Sequence, residues 1–142
     1  MIELIPLCTV AIDLAPSIAI GIGPAGERSV GEIRGVTVTG ERLNAALTGV
    51  AAADWLVRTG AIGVIDARMT LKTSDDALIY VQYGGRLDLS DMKAGITAYV
   101  APVFETGDER YAWLNRIQAV GKGKLAIGAE GATLHYEFYE VR

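Results

Sequence analysis

Residues 133–139 read Thr-Leu-His-Tyr-Glu-Phe-Tyr and decide how the chain folds. Leu134, Tyr136 and Phe138 alternate there with more polar neighbours, and a period of two predicts a strand with one apolar face. Glu130-Gly131 stands directly before this strand, where a tight turn is expected. The C-terminal end of the chain therefore predicts a strand that follows a hairpin turn.

The same punctuation continues towards the N-terminus. Gly121-Lys122-Gly123 separates two further apolar runs, and the runs 64–71 and 78–83 flank the turn formers at 73–76. With 17 glycines and four prolines among 142 residues, the pattern predicts an all-β protein of roughly eight to ten antiparallel strands. That many strands in one domain, residues 1–142, hide their edges most simply as a closed antiparallel β-barrel.

Composition excludes several classes of function. Hydrophobic residues make up 51% of the chain, and the net charge of −4 argues against nucleic-acid binding. One cysteine and one histidine cannot build a disulfide or the usual multi-histidine metal site. The sequence shows neither a signal-peptide pattern nor an apolar stretch long enough to cross a membrane. We therefore expect a soluble, cytoplasmic protein without membrane partners, metal or cofactor.

Two segments need separate interpretation. Leu43, Leu47 and Val50 recur at a helical spacing, but we favour strand over helix for residues 41–56. Residues 21–26 match the G-x-G-x-x-G pattern of dinucleotide-binding folds. That pattern requires a helix to begin at the glycines, whereas Pro24 leads here towards another strand. We interpret this segment as a turn.

Asp66 and Arg68 lie two residues apart in a predicted strand, so both side chains leave the same face. Inside a barrel, such a pair could orient a carbonyl group and move a proton. A solvated outer face fits the spacing as well and is favoured by it. Asp54, beside Trp55 and near Arg58, has a similar ambiguity between a pocket and a strand end.

Residues 104–115 form the richest stretch of the sequence. As a strand, it would place Tyr111, Trp113 and Asn115 on one face, where two aromatic walls and an amide suit a small planar ligand. A core face preceded by a simple turn is an equally good interpretation. His135, on the last strand, has no partner visible in the sequence, and we do not expect it to be a catalytic base.

The ordered series of motifs resembles one family. Ala53-Asp54-Trp55, Asp66-Ala67-Arg68, the turn 73–79, Phe104-Glu105-Thr106-Gly107 and the segment 111–115 are similar to the proteins of domain of unknown function 3237, also called uncharacterised protein family 0311. The resemblance implies a closed barrel of the calycin or streptavidin-like kind and implies no established chemistry. Relatives typically have Gly-Gly before the first motif, where this chain has two alanines.

We weigh three functions. The first is a cofactor-independent isomerase, cyclase, lyase or hydrolase, which acts by acid–base chemistry on a small aromatic or carbonyl-bearing metabolite in the barrel. The others are a small-molecule-binding barrel without catalysis and a barrel for assembly as a homo-oligomer. The candidate catalytic residues are Asp54, Asp66, Arg68 and Glu105. The candidate ligand contacts are Trp55, Arg58, Phe104, Tyr111, Trp113 and Asn115.

Overall fold

The computed structural model of the chain describes residues 1–142. It contains eleven strands and one 3-10 helix, which we call η1 and which spans Glu109–Arg116. The strands are β1 (Leu4–Leu14), β2 (Ile18–Gly23), β3 (Gly26–Thr39), β4 (Ala45–Leu47), β5 (Ala53–Thr59), β6 (Ile62–Thr73), β7 (Leu78–Asp88), β8 (Ile96–Val100), β9 (Val103–Glu105), β10 (Ala119–Gly128) and β11 (Gly131–Val141). The prediction of an all-β chain is confirmed.

Eight of these strands form a ring in which each one pairs antiparallel with two neighbours. The order is β1, β3, β5, β6, β7, β8, β10 and β11, which returns to β1. The short strand β4 bridges β3 and β6, and β9 pairs with β7. The third strand outside the ring, β2, pairs with β3 alone. Closure removes the free edges that a flat sheet of this size would expose.

The interior of the ring is filled by every second residue of its strands. In β6, Ile65, Ala67, Met69 and Leu71 are at most 5% exposed, while the residues between them face outward. The same alternation in β11 turns Leu134, Tyr136 and Phe138 inward, as residues 133–139 predicted. The core therefore lies inside the ring, as it does in barrels whose inner faces alternate with outer ones.

Two glycines of β10 make room for two aromatic rings of β11. A Cβ atom at Gly121 would lie 2.6 Å from the Phe138 ring, and one at Gly123 would lie 2.5 Å from the Tyr136 ring. Both distances are too short for a real side chain, so these rings lie directly across the glycines. The glycines predicted to punctuate a turn at 121–123 are therefore inside a strand, where they admit aromatic side chains.

The ring has two different ends. We call one the helix end, because η1 and residues 40–44 pack there and bury Leu43, Phe104 and Leu114 at 1%, 4% and 0% exposure. We call the other the hairpin end, because the β2–β3, β5–β6 and β10–β11 turns lie there. Leu114, on η1, belongs to the main core, so the helix closes its end of the ring with an apolar side chain.

The structure corrects one sequence interpretation and settles another. The prediction of a strand through Tyr111–Asn115 is wrong, because these residues belong to η1. The Asp108 side chain accepts the backbone N–H of Arg110 and starts this helix. Over residues 41–56 the favoured strand interpretation is correct in part, since β4 and the start of β5 form there and no helix does.

The G-x-G-x-x-G segment forms the hairpin between β2 and β3. Gly23 pairs with Gly26 across the turn, and Gly26 has a φ of +131°. A Cβ atom at Gly26 would also lie 2.9 Å from the Val57 side chain. No helix begins here, so the glycines serve a tight turn, as predicted. Elsewhere in the chain, too, no helix has the length and apolar character that crossing a bilayer requires.

Candidate functional site

Asp54 is the predicted catalytic carboxylate that points into the ring. It lies opposite Gly31 of β3 and Ala67 of β6, and opposed residues of an antiparallel sheet share a face. Ala67 is fully buried inside the ring, so the Asp54 side chain shares that interior. It is half-buried there, which leaves its carboxylate a path to solvent.

The Asp54 carboxylate replaces a backbone carbonyl as hydrogen-bond acceptor between β5 and β6. Its Oδ1 accepts the backbone N–H of Asp66 at 2.9 Å. Strands β5 and β6 pair at Asp54 and again at Val57, but the two residues between them do not pair with β6. The local separation of the strands lets a side-chain oxygen reach a backbone donor that a carbonyl would otherwise satisfy.

This environment shifts the Asp54 titration towards neutrality. Burial raises its pKa to about 6, the hydrogen bond from the Asp66 N–H opposes the rise, and the nearby Asp66 charge adds to it. Removing water disfavours the charged form of a carboxyl group, which is the usual origin of such a shift. A carboxyl group with this pKa can both take up and release a proton near pH 7.

Two tyrosines share the interior with Asp54. Tyr83 lies opposite Ala67 across the β6–β7 pair, and the Tyr83 and Tyr136 rings meet edge to face at 5.7 Å. Both side chains are buried, and their hydroxyls are close enough to influence each other's pKa, but the Tyr136 hydroxyl has no hydrogen-bond partner in good geometry. Burial first, with a contribution from the Asp54 charge, raises the pKa of both phenols, so both carry their protons at neutral pH.

Leucines line the interior between Asp54 and the hairpin end. A Cβ atom at Gly63 would lie 3.3 Å from Leu56 and 2.9 Å from Leu87, and one at Gly31 would lie 3.7 Å from Leu14. Leu14 and Leu56 are only partly buried. Towards the helix end, by contrast, packing leaves an apolar gap of about 10 Å³, too small and too apolar to hold a ligand or an ordered water. We expect a ligand to approach Asp54 from the hairpin end.

Comparison with known proteins identifies the family of the chain. The family model described as "Protein of unknown function (DUF3237)" matches residues 2–141. The chain belongs to the DUF3237 family. A UPF0311 protein of Bradyrhizobium diazoefficiens is 30% identical over 106 residues, which cover 63% of this chain and 70% of that protein. The resemblance carried by the sequence motifs is therefore confirmed.

Solved structures share the ring architecture of this DUF3237 chain. A beta-barrel like protein of Acinetobacter baumannii has a TM-score of 0.84 at 29% identity and covers 100% of this chain and 97% of its own. A conserved protein of unknown function from Rhodopseudomonas palustris has a TM-score of 0.83 at 22% identity, with 100% and 99% covered. An enzyme from Penicillium herquei has a TM-score of 0.67 at 20% identity, with 97% and 93% covered. The last two likenesses show a common fold.

Within this member of the DUF3237 family, the Asp66–Arg68 pair lies on the outer face. Arg68 is exposed, and its guanidinium carbon lies 5.8 Å from the centre of the Trp55 ring, which is itself 39% exposed. The structure therefore agrees with the interpretation of this pair as part of a solvated outer face. Only the Asp66 backbone N–H reaches the Asp54 carboxylate, so the charged groups do not converge around it.

Arg58 is the other predicted site residue on the inner side of β5. It lies opposite Gly63, four residues from Asp54 and next to the β5–β6 turn. Its side chain is exposed, and its Nε donates to the Gly60 carbonyl at 2.8 Å. Arg58 thus stands at the rim of the hairpin end, where its charge remains in water.

The remaining predicted residues gather at the helix end. The Tyr111 hydroxyl donates to an Asp75 carboxylate oxygen at 2.8 Å, and the Asn115 amide pairs with both backbone groups of Thr106. The guanidinium carbon of Arg42 lies 4.8 Å from the centre of the Trp113 ring. These contacts fasten η1 to the ring. Phe104 is buried in the core, and its neighbour Glu105 is exposed.

Sequence reasoning singled out Asp54 and missed the tyrosines beside it. The alternation of β11 already turned Tyr136 inward, but a tyrosine on an apolar face is usually a core residue. What distinguishes Tyr136 from a core tyrosine is that its hydroxyl has no hydrogen-bond partner. The sequence does not show this, because the groups near the hydroxyl belong to strands that are far apart in the chain. His135 lies on the outer face opposite Lys124 and Ala11, and burial raises the pKa of the Cys8 thiol to about 12, which leaves that thiol unreactive.

Proposed function

We propose that the chain is a cofactor-independent enzyme that moves a proton on a small aromatic or carbonyl-bearing molecule bound inside the ring. The observation that carries this proposal is the half-buried, inward Asp54 carboxylate with a pKa of about 6. A group whose pKa lies near the working pH is the most effective general acid or base, because both its protonated and its ionised forms are populated. Isomerisation, cyclisation, elimination and hydrolysis are the reaction types that such a group serves.

Asp54 is the acid–base group of this proposal. Asp66, Arg68 and Glu105 face away from the interior, so they are not part of the proton transfer. Arg58, at the rim, is positioned to attract an anionic substituent of the ligand. The leucines above Asp54 supply the apolar contact area that a small metabolite needs for binding.

The ring also supports a finer description of the fold. We propose a closed barrel of the calycin or streptavidin-like kind, because eight antiparallel strands close into a ring. Barrels of eight strands typically have an interior that side chains fill or that holds one small ligand. A small-molecule-binding barrel without catalysis is the second candidate function. The partly buried Leu14 and Leu56 favour it, since these side chains would then serve only as ligand contacts.

Asp54→Asn and Asp66→Asn form a matched pair of variants for the test. Native mass spectrometry of the purified protein identifies small molecules that remain bound to it. Nuclear magnetic resonance in heavy water then reads C–H exchange or rearrangement of each bound molecule. We expect Asp66→Asn to retain turnover and Asp54→Asn to bind the molecule while losing about 100-fold or more in rate. Full turnover by Asp54→Asn would refute the proposal, and binding without turnover by every form would establish the second candidate.

A further inference from the structure

The Tyr136 hydroxyl is the one buried side-chain oxygen or nitrogen in the chain that lacks a hydrogen-bond partner. Leaving such a group unsatisfied destabilises the folded chain, because the hydroxyl gives up its hydrogen bonds to water on burial. Phe138, two residues further on, fills the equivalent place across Gly121 without a hydroxyl. Packing alone would therefore be satisfied by phenylalanine at position 136 too, and the hydroxyl needs another explanation.

The position of this hydroxyl supplies the explanation. Tyr136 packs against Tyr83, whose neighbour across the sheet is Ala67, and Ala67 in turn lies opposite Asp54. The Asp54 charge contributes to the raised pKa of both phenols. An O–H donor without an acceptor thus shares the ring interior with a carboxylate able to take a proton. That combination stabilises an oxygen on which negative charge develops.

We infer that Tyr136, supported by Tyr83, donates its hydroxyl hydrogen bond to an oxyanion that forms on the substrate, and that the substrate class is an enolisable carbonyl compound. This inference rests on the proposed function. Asp54 takes the proton from the carbon next to the carbonyl, and the C–H electron pair becomes a carbon–carbon double bond. The carbonyl π pair moves to its oxygen, which accepts the Tyr136 hydrogen bond. Protonated Asp54 then delivers the proton to another carbon of the conjugated enolate, the carbonyl re-forms and the isomer results, so no co-reactant is needed.

The buried location strengthens this interaction. A hydrogen bond from a phenol to a charged oxygen gains most where water is excluded, and the donor needs no reorganisation when the charge appears. The ketosteroid isomerase mechanism combines a carboxylate base with a tyrosine donor in an apolar site in the same way. The Tyr136 hydroxyl, which is unsatisfied without substrate, gains an acceptor when the oxyanion forms.

The test uses 4-nitrophenolate, a planar oxyanion that reports its binding by visible absorbance, at a pH at which it is ionised. Asp54→Asn mimics the protonated carboxyl group and removes charge repulsion, so we expect it to bind the probe at least tenfold more tightly than the native chain. Adding Tyr136→Phe to Asp54→Asn should weaken binding by about tenfold or more. Tyr139→Phe, on the outer face of the same strand, is the matched control and should change nothing.

Unfolding in urea separates this role from a structural one. Tyr136→Phe removes an unsatisfied hydroxyl, so the variant should be at least as stable as the native chain while it binds the probe more weakly. Equal affinity with and without the Tyr136 hydroxyl would overturn the inference, as would failure of every variant to bind the probe. Either result would leave Asp54-dependent turnover standing. Tyr136-dependent binding without any Asp54-dependent turnover would instead refute the proposed function.

Discussion

The two ends of the ring are built in different ways. At the helix end, Leu43, Phe104 and Leu114 are almost completely buried, and polar contacts fasten η1 to its neighbours. At the hairpin end, Leu14, Leu56 and Leu125 are only partly buried, and the interior beneath them holds Asp54 and an unsatisfied tyrosine hydroxyl. Stability is therefore concentrated at one end. The groups that cost stability lie towards the other, as is common for functional sites.

Leu114→Ala should have the largest effect, because it removes the side chain that η1 inserts into the core. The residue is 0% exposed, and truncation of a fully buried leucine typically costs about 2–5 kcal/mol of unfolding free energy. Leu125→Ala, at the hairpin end, is the matched control and should cost less, because Leu125 is only partly buried. Urea denaturation measures both. Equal losses would mean that the two ends are packed equally well.

Asp54→Asn should stabilise the protein at neutral pH. The folded pKa of about 6 lies above the ordinary aspartate value of about 3.9, so the native state binds the Asp54 proton more tightly than the unfolded chain does. The native chain accordingly loses stability as the pH rises between these values. We expect Asp54→Asn to be more stable by up to about 3 kcal/mol at pH values above the folded pKa. The amide oxygen of the introduced side chain can still accept the Asp66 N–H, which limits other effects.

Urea unfolding of both forms from pH 4 to pH 8 checks this difference. It should disappear towards pH 4, where Asp54 is protonated in the folded chain and increasingly so in the unfolded one. A difference of constant size across this range would show that Asp54 keeps an ordinary pKa. The hairpin end would then lack the buried, poised carboxyl group that distinguishes it from the helix end.

Much of the fold could be predicted because it rests on local pattern. The alternation of residues 133–139 predicted β11 and its inner face, and the turn formers at 73–76 predicted the β6–β7 hairpin. The helix η1 was missed because the aromatic spacing of residues 111–115 also suits a strand. Its usable signals were Asp108 as a cap, Glu109 in the first turn and Arg116 in the last.

The site could be predicted only in part, because its geometry depends on pairing between distant strands. Asp54 stood out as an acid beside a tryptophan, yet the structure turns Trp55 outward and Asp54 inward. Of the two interpretations of the Asp66–Arg68 pair, the favoured solvated face is the one found, since the β5–β6 register places residues 66 and 68 outside. Tyr136 could not be recognised, because the satisfaction of its hydroxyl is decided by residues on other strands.

Glu140→Gln tests the polar contacts of the helix end. Glu140 is 7% exposed, and its carboxylate meets Arg42 at 2.9 Å and Arg142 at 3.1 Å. Arg142 first, and then Arg42, lower the pKa of this carboxyl group. We expect the variant to lose about 1–2 kcal/mol at pH 7, in the range of a hydrogen bond to a charged group.

The pH dependence of this variant has the opposite sign to that of Asp54→Asn. A lowered folded pKa stabilises the native chain above the ordinary glutamate pKa, and this contribution is lost as the pH falls through the folded value. The native chain and Glu140→Gln should therefore converge in acid and differ at neutral pH. Urea unfolding at pH 3 and pH 7 measures this. A gap that persists in acid would mean that the ion pairs add nothing at this end.

Tyr111→Phe should have the smallest effect, because the hydrogen bond that it removes is exposed. The Tyr111 hydroxyl donates to Asp75, which also accepts from Thr73 at 2.6 Å and contacts Arg110. These remaining partners keep the Asp75 pKa below its ordinary value, so the turn should keep its structure. A fall of about 1–3 °C in Tm is expected, with amide exchange faster in η1 alone. Exchange that also quickened around Asp54 would show that the two ends are coupled, and that the helix holds the site as well as the core.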